Sequence, residues 1–533
     1  MTHHTIKGTN VANTTHTGEM KRSLTLTGVT VNAMALIAPG AFLWTTFQLQ
    51  ASQSIDGKST ASDMWTGLVF ALVLALLTAY SYSELARIYP DAGAGSSYYF
   101  AEAALLDKDR AAHRKFARFA KLTIGWISHL YYWIYPGIMV AFTATLFGYI
   151  YLTVAHHSLT YVPLAIVVVA FSLIVGYIAY RGISGSTLTA IVINVIQIVS
   201  LIAVSIVFIV YRLAHSTKVF ELANAGKVVI PHSFMHVLYQ STIAILLLVG
   251  FESITALGAE AKNPEKDIRR GVLISLIIQG GFCYLIQYFA ANFALGAATI
   301  SSVGSDGTTL TGSAAAANDG APIGTMLKTI GNTSFGGNGQ SISLIVAVTV
   351  LLALVGTTLA CLNAGVRVTY AMSRDKEMPS VLGLLHGKHA TPHNGIWILV
   401  GVTALFGIYG VQPAQVDNIT QITLASNTGT FLVYGFTCVI AIIAFASRHD
   451  KHVLKHYAIP GLGALMNLAE LVGVVYLAFK AGGLGADDAK KALYGVAAWI
   501  VLGMIWVAVN PKMRSAKLLD DSLPKREPVL TGA

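Results

Sequence analysis

The stretch from Ser233 to Glu260, SFMHVLYQSTIAILLLVGFESITALGAE, decides how the rest of the chain is read. It is mostly apolar, and its length suits the ~30 Å hydrocarbon core of a bilayer at about 1.5 Å per helical residue. Gly250-Phe251-Glu252-Ser253 interrupts it. Glycine permits backbone angles that other residues resist, and an ionisable group inside a span is costly unless it has a role. The stretch therefore reads as a membrane helix broken around a carboxylate.

Outward from it, apolar runs of similar length recur along the 533 residues. They predict helices at about 24–50, 62–88, 122–154, 161–180, 184–212, 233–260, 270–296, 341–372, 394–411, 418–446, 458–480 and 489–509. Hydrophobic residues make up 54% of the chain and charged residues 11%, where a soluble domain would be about a quarter charged. The expected fold class is thus an all-α integral membrane protein of about twelve helices, with lipid as its main solvent. The net charge of +10 forms no continuous stripe of the kind that tracks nucleic acid. With both termini inside, 27 of the 35 Lys and Arg residues fall in cytoplasmic segments and 8 in external ones, as the positive-inside rule requires. The basic segment Lys108, Arg110, Arg114, Lys115, Arg118 and Lys121 is expected to be a solvated cytoplasmic loop beside anionic lipid. Residues 297–340, rich in Gly, Ser, Ala and Thr, are expected to form a mobile external loop with room for short helices.

Cys283, Cys361 and Cys438 lie inside apolar runs and read as packing residues. Residues 1–22 are polar, without the apolar core of a signal peptide, and residues 510–533 form a second polar tail. No nucleophile–base pair or metal cluster stands out, which argues against an enzyme and against a cofactor. No repeated filter segment suggests a channel.

A second break lies in the first helix, at Ala38-Pro39-Gly40-Ala41. Pro39 lacks an N–H and obstructs the carbonyl four residues earlier. Unwound backbone at membrane depth is tolerated where it is buried in protein or lines a wet cavity. Paired breaks in two halves of a chain point to a secondary transporter's binding site, where half-helix N-termini attract carboxylates and freed carbonyls attract cations. The candidate substrate residues are therefore Ile37, Ala38, Pro39, Gly40 and Ala41 of the first break and Val249, Gly250, Phe251, Glu252 and Ser253 of the second.

Three segments resemble the amino acid, polyamine and organocation transporter superfamily. Gly250-Phe251-Glu252-Ser253-Ile254-Thr255-Ala256-Leu257-Gly258-Ala259-Glu260-Ala261-Lys262-Asn263-Pro264-Glu265-Lys266-Asp267-Ile268 is similar to its helix 6 signature. Glu84-Leu85-Ala86-Arg87-Ile88-Tyr89-Pro90-Asp91-Ala92-Gly93 resembles its end of helix 2, and Ser373-Arg374-Asp375-Lys376-Glu377-Met378-Pro379 its loop after helix 8, with Thr391-Pro392 following. The resemblance covers roughly residues 22–510. It implies a leucine-transporter-like 5+5 inverted repeat, residues 23–212 and 233–446, with peripheral helices in 458–509, and alternating access in a prokaryotic-type inner or plasma membrane. It also implies that the substrate carboxylate rests on the first break and its amino group near Val249, Gly250 and Ser253.

Departures accompany the resemblance. Pro39 stands inside a usual Gly-x-Gly pattern, Arg269 follows Ile268 where proline is usual, and Leu246 stands where some arginine exchangers have a gating tryptophan. Gln197 occupies the position of the helix 5 lysine found in several proton-coupled relatives, and glutamine cannot titrate. Thr357 and Thr358 resemble the hydroxyl pair that binds sodium together with a helix 1 carbonyl, here Ile37. Their alternative is bonding back to helix carbonyls. Glu252, which can load a proton, is the proton candidate. It could otherwise hold the break together or attract a cationic substrate.

The expected function is secondary transport of amino acids, coupled to protons or sodium or working by exchange. The alternatives are a polyamine or organic cation carrier of the same fold and a transporter-like nutrient sensor. Glu84 is expected to have a structural role, pairing with Arg87 or with a gate loop. His129, Tyr131, Tyr132, Trp133 and Tyr135 are expected to pack, with one of the tyrosines open to lining a cavity. Asn363 and Asn427 are expected to face the cavity or join helices.

Overall fold

The computed structural model describes residues 24–510 except 38–42, 91–95, 107–109, 183–186, 216–222, 258–260, 305, 388, 390, 412–416, 447, 481 and 483. Ala38, Pro39, Gly40 and Ala41 of the first predicted break lie outside the described residues. On either side of them, α1 (Leu26–Ile37) and α2 (Leu43–Ala51) occupy the span predicted as one helix. A two-residue hairpin, β1 (Ser54–Ile55) with β2 (Lys58–Ser59), leads into α3 (Met64–Ile88).

α4 (Ser97–Leu106) precedes α5 (Arg110–Ala155), a 46-residue helix that is about 69 Å long at 1.5 Å per residue. This corrects the expected loop: from Arg110 onward the basic segment is helix. Its alanines and straight-chain Arg and Lys residues are good helix formers, so α5 runs on past its apolar portion. Lys121, expected to be solvated, is buried with 1% side-chain exposure.

α6 (Tyr161–Tyr180), α7 (Thr187–Ala214) and the short α8 (Ala223–Val229) follow. The span around Gly250 begins as α9 (Phe234–Ala244), tightens to a 3₁₀ turn at Ile245–Leu247, and resumes as 3₁₀ helix at Phe251–Leu257. α10 (Pro264–Leu276) continues through a π-helical segment, Ile277–Tyr284, into α11 (Leu285–Ala294). The segment expected to be mobile is instead built. β3 (Ser301–Val303) pairs with β4 (Thr309–Thr311), then come α12 (Gly312–Ala317) and α13 (Pro322–Ser334). α14 (Gly339–Arg374), α15 (His393–Gly410), α16 (Asp417–Ala446), α17 (Ile459–Lys480) and α18 (Leu484–Val509) complete the chain.

Ten helices among the described residues are long and apolar enough to cross a membrane. Two shorter apolar helices, Leu26–Ala35 and Phe234–Leu247, lie beside the two predicted breaks. α5 lies at the centre, packed against α4, α14, α15 and α16, while α3 packs on α9 and α10. Trp44, Tyr82, Tyr131, Tyr284, Tyr288 and Tyr434 are fully buried between them. Outward, α6, α7, α17 and α18 expose Ile166, Leu173, Val199, Leu465, Val472 and Met504. Only a hydrocarbon solvent makes such an outer surface favourable. The chain is an all-α membrane protein.

Candidate functional site

The second break is described in full. The N–H groups of Leu248 and Val249 both return to the Ile245 carbonyl, at 2.9 and 3.1 Å, which ends the α-helical ladder. Gly250 then takes φ +121°, a region that residues with a Cβ avoid. That conformation turns its N–H toward the chain ahead, where Glu252 Oε2 accepts it at 3.0 Å. The Gly250 carbonyl accepts the Ser253 N–H at 3.1 Å and its hydroxyl at 2.7 Å. Glu252 thus caps the backbone of its own break, much as an N-cap carboxylate satisfies orphan donors.

Three tyrosines from two other helices complete the cage. Tyr434 of α16 donates to Glu252 Oε2 at 2.7 Å, and Tyr131 and Tyr132 of α5 each donate to Oε1 at 3.4 Å. Glu252 is fully buried, and four donors converge on its two oxygens. Such a donor set suits a carboxylate anion. The aromatic wall continues with Tyr82 and Phe251, whose rings lie 5.9 and 5.2 Å from Tyr434 and 5.9 Å from each other. Tyr135 donates to the Leu246 carbonyl at 2.8 Å, and Asn427 of α16 donates to the Thr242 carbonyl at 2.6 Å. Asn427 joins helices, one of its two expected roles. Tyr131 and Tyr132 face the break, which periodicity alone does not specify.

The C-terminal end of α1 packs on the 3₁₀ helix Phe251–Leu257, and side chains donate to its last described carbonyls. Gln279 donates to Met34 O at 2.9 Å, Thr357 to Ala35 O at 3.2 Å, and Tyr284 to Ile37 O at 2.5 Å. Thr357 also reaches Ala353 O at 3.1 Å, while Thr358 donates to Leu354 O at 2.7 Å. Of the expected sodium ligands, Thr357 therefore meets α1 at Ala35, Ile37 O is held by Tyr284, and Thr358 bonds back along α14. Gln197 donates to Thr349 O at 2.6 Å, tying α7 to α14. His129 lies between Gly125 O at 2.7 Å and Thr369 Oγ1 at 3.1 Å, a packing role as expected.

The break is packed: Val249, Phe251 and Glu252 are buried. A cavity of about 580 Å³ lies elsewhere, lined by Thr45 and Gln48 of α2, Tyr149 of α5, and Asp319, Thr325 and Lys328 in and before α13. Beside it, α13 packs on α2. Gly324 meets the Trp44 ring so tightly that a Cβ would come within 2.5 Å of it. Tyr149 and Ser343 hydroxyls bond at 2.8 Å, and Ser343 donates to Gly324 O at 2.8 Å.

Charged clusters bind the other end. Lys121 Nζ lies 2.6 Å from both Glu102 of α4 and Asp375 beyond α14, and Tyr98 donates to Asp375 at 2.9 Å. Neighbouring Glu377 is buried, and that burial, only partly offset by Lys121, pushes its carboxyl up to about 8. Glu84 joins Arg87 at 2.9 Å, Arg269 of α10 at 2.7 Å and His456 at 3.4 Å. The expected Glu84–Arg87 pair is present, inside a larger network. Arg269, which stands where the resemblance leads one to expect proline nearby, provides its link to α10.

A membrane helix broken around a caged carboxylate, together with the charged networks of Lys121 and Glu84, forms an arrangement suited to moving a solute. Among known proteins, the chain is 22% identical to the branched-chain amino acid permease BcaP of Bacillus subtilis over 93% of this chain and 94% of the relative. It is 26% identical to the low-affinity putrescine importer PlaP of Escherichia coli K12 over 94% of each, and 25% identical to a methylthioribose transporter of Bacillus subtilis over 74% of this chain and 77% of the relative. The "Amino acid permease" family model matches residues 23–506, and the chain belongs to that family, within the amino acid, polyamine and organocation superfamily.

Proposed function

We propose that this permease carries amino acids or closely related organic cations across the cell membrane by alternating access, binding them between the break after α1 and the break at Gly250. Residues 23–212 and 233–446 would form the two inverted repeats, with α17 and α18 peripheral and both termini cytoplasmic. The observation that carries this reading is the Gly250 break itself. A membrane helix is interrupted at a glycine with positive φ and its carboxylate is caged by Tyr131, Tyr132 and Tyr434. Such discontinuous helices are where secondary transporters bind solutes.

The substrate's carboxylate would lie on the first break, which includes Ala38, Pro39, Gly40 and Ala41. Its ammonium would meet the second, near Val249, Gly250 and Ser253, with the anion of Glu252 close by. Glu252 favours cationic groups, so a polyamine such as the one named for the Escherichia coli relative is the second reading. A coupling ion, proton or sodium, would set the direction of accumulation.

The test uses purified protein in proteoliposomes, with labelled leucine and labelled putrescine, in wild type and Glu252→Gln. If Glu252 serves the substrate's ammonium in either class, the variant loses affinity for the transported probe. A variant that carries both probes as wild type does would remove Glu252 from the substrate site. Sodium and pH gradients imposed separately then decide the coupling, and uptake indifferent to sodium would exclude Thr357 and Thr358 as sodium ligands.

A further inference from the structure

A second carboxylate is buried within a membrane-spanning helix. Glu470 lies near the middle of the 22-residue α17 and is fully buried. Its sole hydrogen-bond partner among the described residues is the Ser241 hydroxyl of α9, which bonds Oε1; Oε2 is buried without a partner. The contrast with Glu252 is direct: four donors meet one carboxyl and a single hydroxyl meets the other.

Ser241 sharpens the point. Its hydroxyl lies within bonding distance of Glu470 Oε1 and of the Leu238 carbonyl, at 2.8 Å from the latter. A serine hydroxyl carries one proton. A neutral carboxyl supplies a second proton, donating to Ser241 while Ser241 donates to Leu238, whereas an ionised one would have to share the single serine proton with the Leu238 carbonyl.

The surroundings offer no counter-charge. On α3, Glu84 and Arg87 are engaged with Arg269, Asp450 and His456, the last from the π turn that begins α17, while Tyr82 bonds Ser97. On α9, His236 faces Asp63 and Tyr239 donates to Gln53. On α16, Tyr434 serves Glu252 and Cys438 faces Thr78. On α18, Asp488 accepts from Gln421, Lys490 pairs with Asp487, and Tyr494 is exposed. Lys480 at the end of α17 and Lys491 of α18 are exposed, and the neighbours that remain are neutral. Asn467, one turn before Glu470, donates to Thr78 Oγ1 at 3.2 Å, and its own Oδ1 is buried without a partner, as is that of Asn427. An ionised carboxylate here would be an uncompensated buried charge, which opposes the packed state.

We propose that Glu470 is a proton-binding site, distinct from the substrate site, whose loading holds α9 against α17 and whose release to water lets the two helices part. This rests on the transporter reading above. On release the Glu470 O–H bond breaks, its proton passes to a water, and the carboxylate left behind drives α9 away until water reaches it. α9 leads directly through Ile245–Leu247 into the Gly250 break, so the proton state of Glu470 is mechanically tied to the segment that holds the solute.

Two readouts on the full chain in proteoliposomes test this. In infrared difference spectra, wild type minus Glu470→Gln is expected to show a protonated carboxyl carbonyl band that no transport is needed to see; absence of the band overturns the proposal. Ser241→Ala, which keeps the acid and removes its one partner, is expected to move the pH midpoint of that band, and an unmoved midpoint overturns it as well. With labelled leucine or putrescine, an acid-outside gradient is expected to raise accumulation in wild type. In Glu470→Gln that excess is lost, while counterflow without a gradient stays within about twofold. A variant that retains the gradient response, or a wild type that transports but ignores pH, refutes the coupling. A wild type that carries no probe at all refutes the transporter reading, and the infrared band still decides the proton site.

Discussion

Replacing Glu252 by Gln tests the caged carboxylate with the least steric change. The Gly250 N–H at 3.0 Å is a fixed donor, so the amide must point its oxygen there and toward Tyr434. Its NH₂ then faces Tyr131 and Tyr132, whose hydroxyls can rotate to accept. No bond need be orphaned, but two that were charge-assisted become neutral. Hydrogen bonds to charged groups contribute about 1.5–3 kcal/mol and neutral ones about 0.5–1.5. The Tyr434 and Gly250 bonds together therefore lose about 2–3 kcal/mol, while the two at 3.4 Å contribute little. The loss should appear as a lower Tm in detergent, followed by intrinsic tryptophan fluorescence. Glu252→Ala, which leaves the Gly250 N–H and Tyr434 hydroxyl without their acceptor, should fall further. A Gln variant with wild-type Tm would refute the argument that Glu252 holds the break as an anion, whatever it does to transport.

Three further perturbations follow from single observations. Gly250→Ala forces a Cβ onto φ +121° and should cost about 1–3 kcal/mol in thermal stability; a neutral result would show that the break adapts freely. Gly324→Ala brings a Cβ within 2.5 Å of Trp44 and should destabilise the docking of α13 by about 1–3 kcal/mol, seen as faster proteolysis of the 297–340 segment than in wild type. For Glu377, burial raises the carboxyl from 4.5 to about 8, so the folded loop binds the proton more tightly than the unfolded one. Its contribution to stability is full below pH 4.5 and is lost as pH rises through about 8. The slope of Tm against pH across that window should flatten in Glu377→Gln, and an unchanged slope would contradict the assignment.

Much of this was legible in the chain. Apolar run length located the spans, because a bilayer fixes how long a helix must be. Gly250 and Glu252 marked a break that the positive φ and the self-capping carboxylate account for. The cage itself was not legible, since Tyr131, Tyr132 and Tyr434 reach Glu252 from more than a hundred residues away and periodicity reports only a helix's own faces. Lys121 illustrates the opposite difficulty: a basic run reads as solvated, and only the fold brings Glu102 and Asp375 to one of its members. Residues 297–340 read as loose because they are rich in Gly, Ser, Ala and Thr, yet the short apolar face of α13, with Ile323, Met326, Leu327 and Ile330 buried, suffices to dock it. Glu470 meets the same test as Glu252, an ionisable group within a span, but neither a break nor a family motif accompanies it.

Counterflow measures the central claim most directly. Proteoliposomes preloaded with unlabelled leucine or putrescine, then diluted into a trace of the same labelled compound, should accumulate label transiently above the external concentration for at least one of the two. That overshoot requires a binding site presented alternately to each side of the membrane. Label that only equilibrates, at a rate indifferent to preloading, would contradict a carrier for either probe.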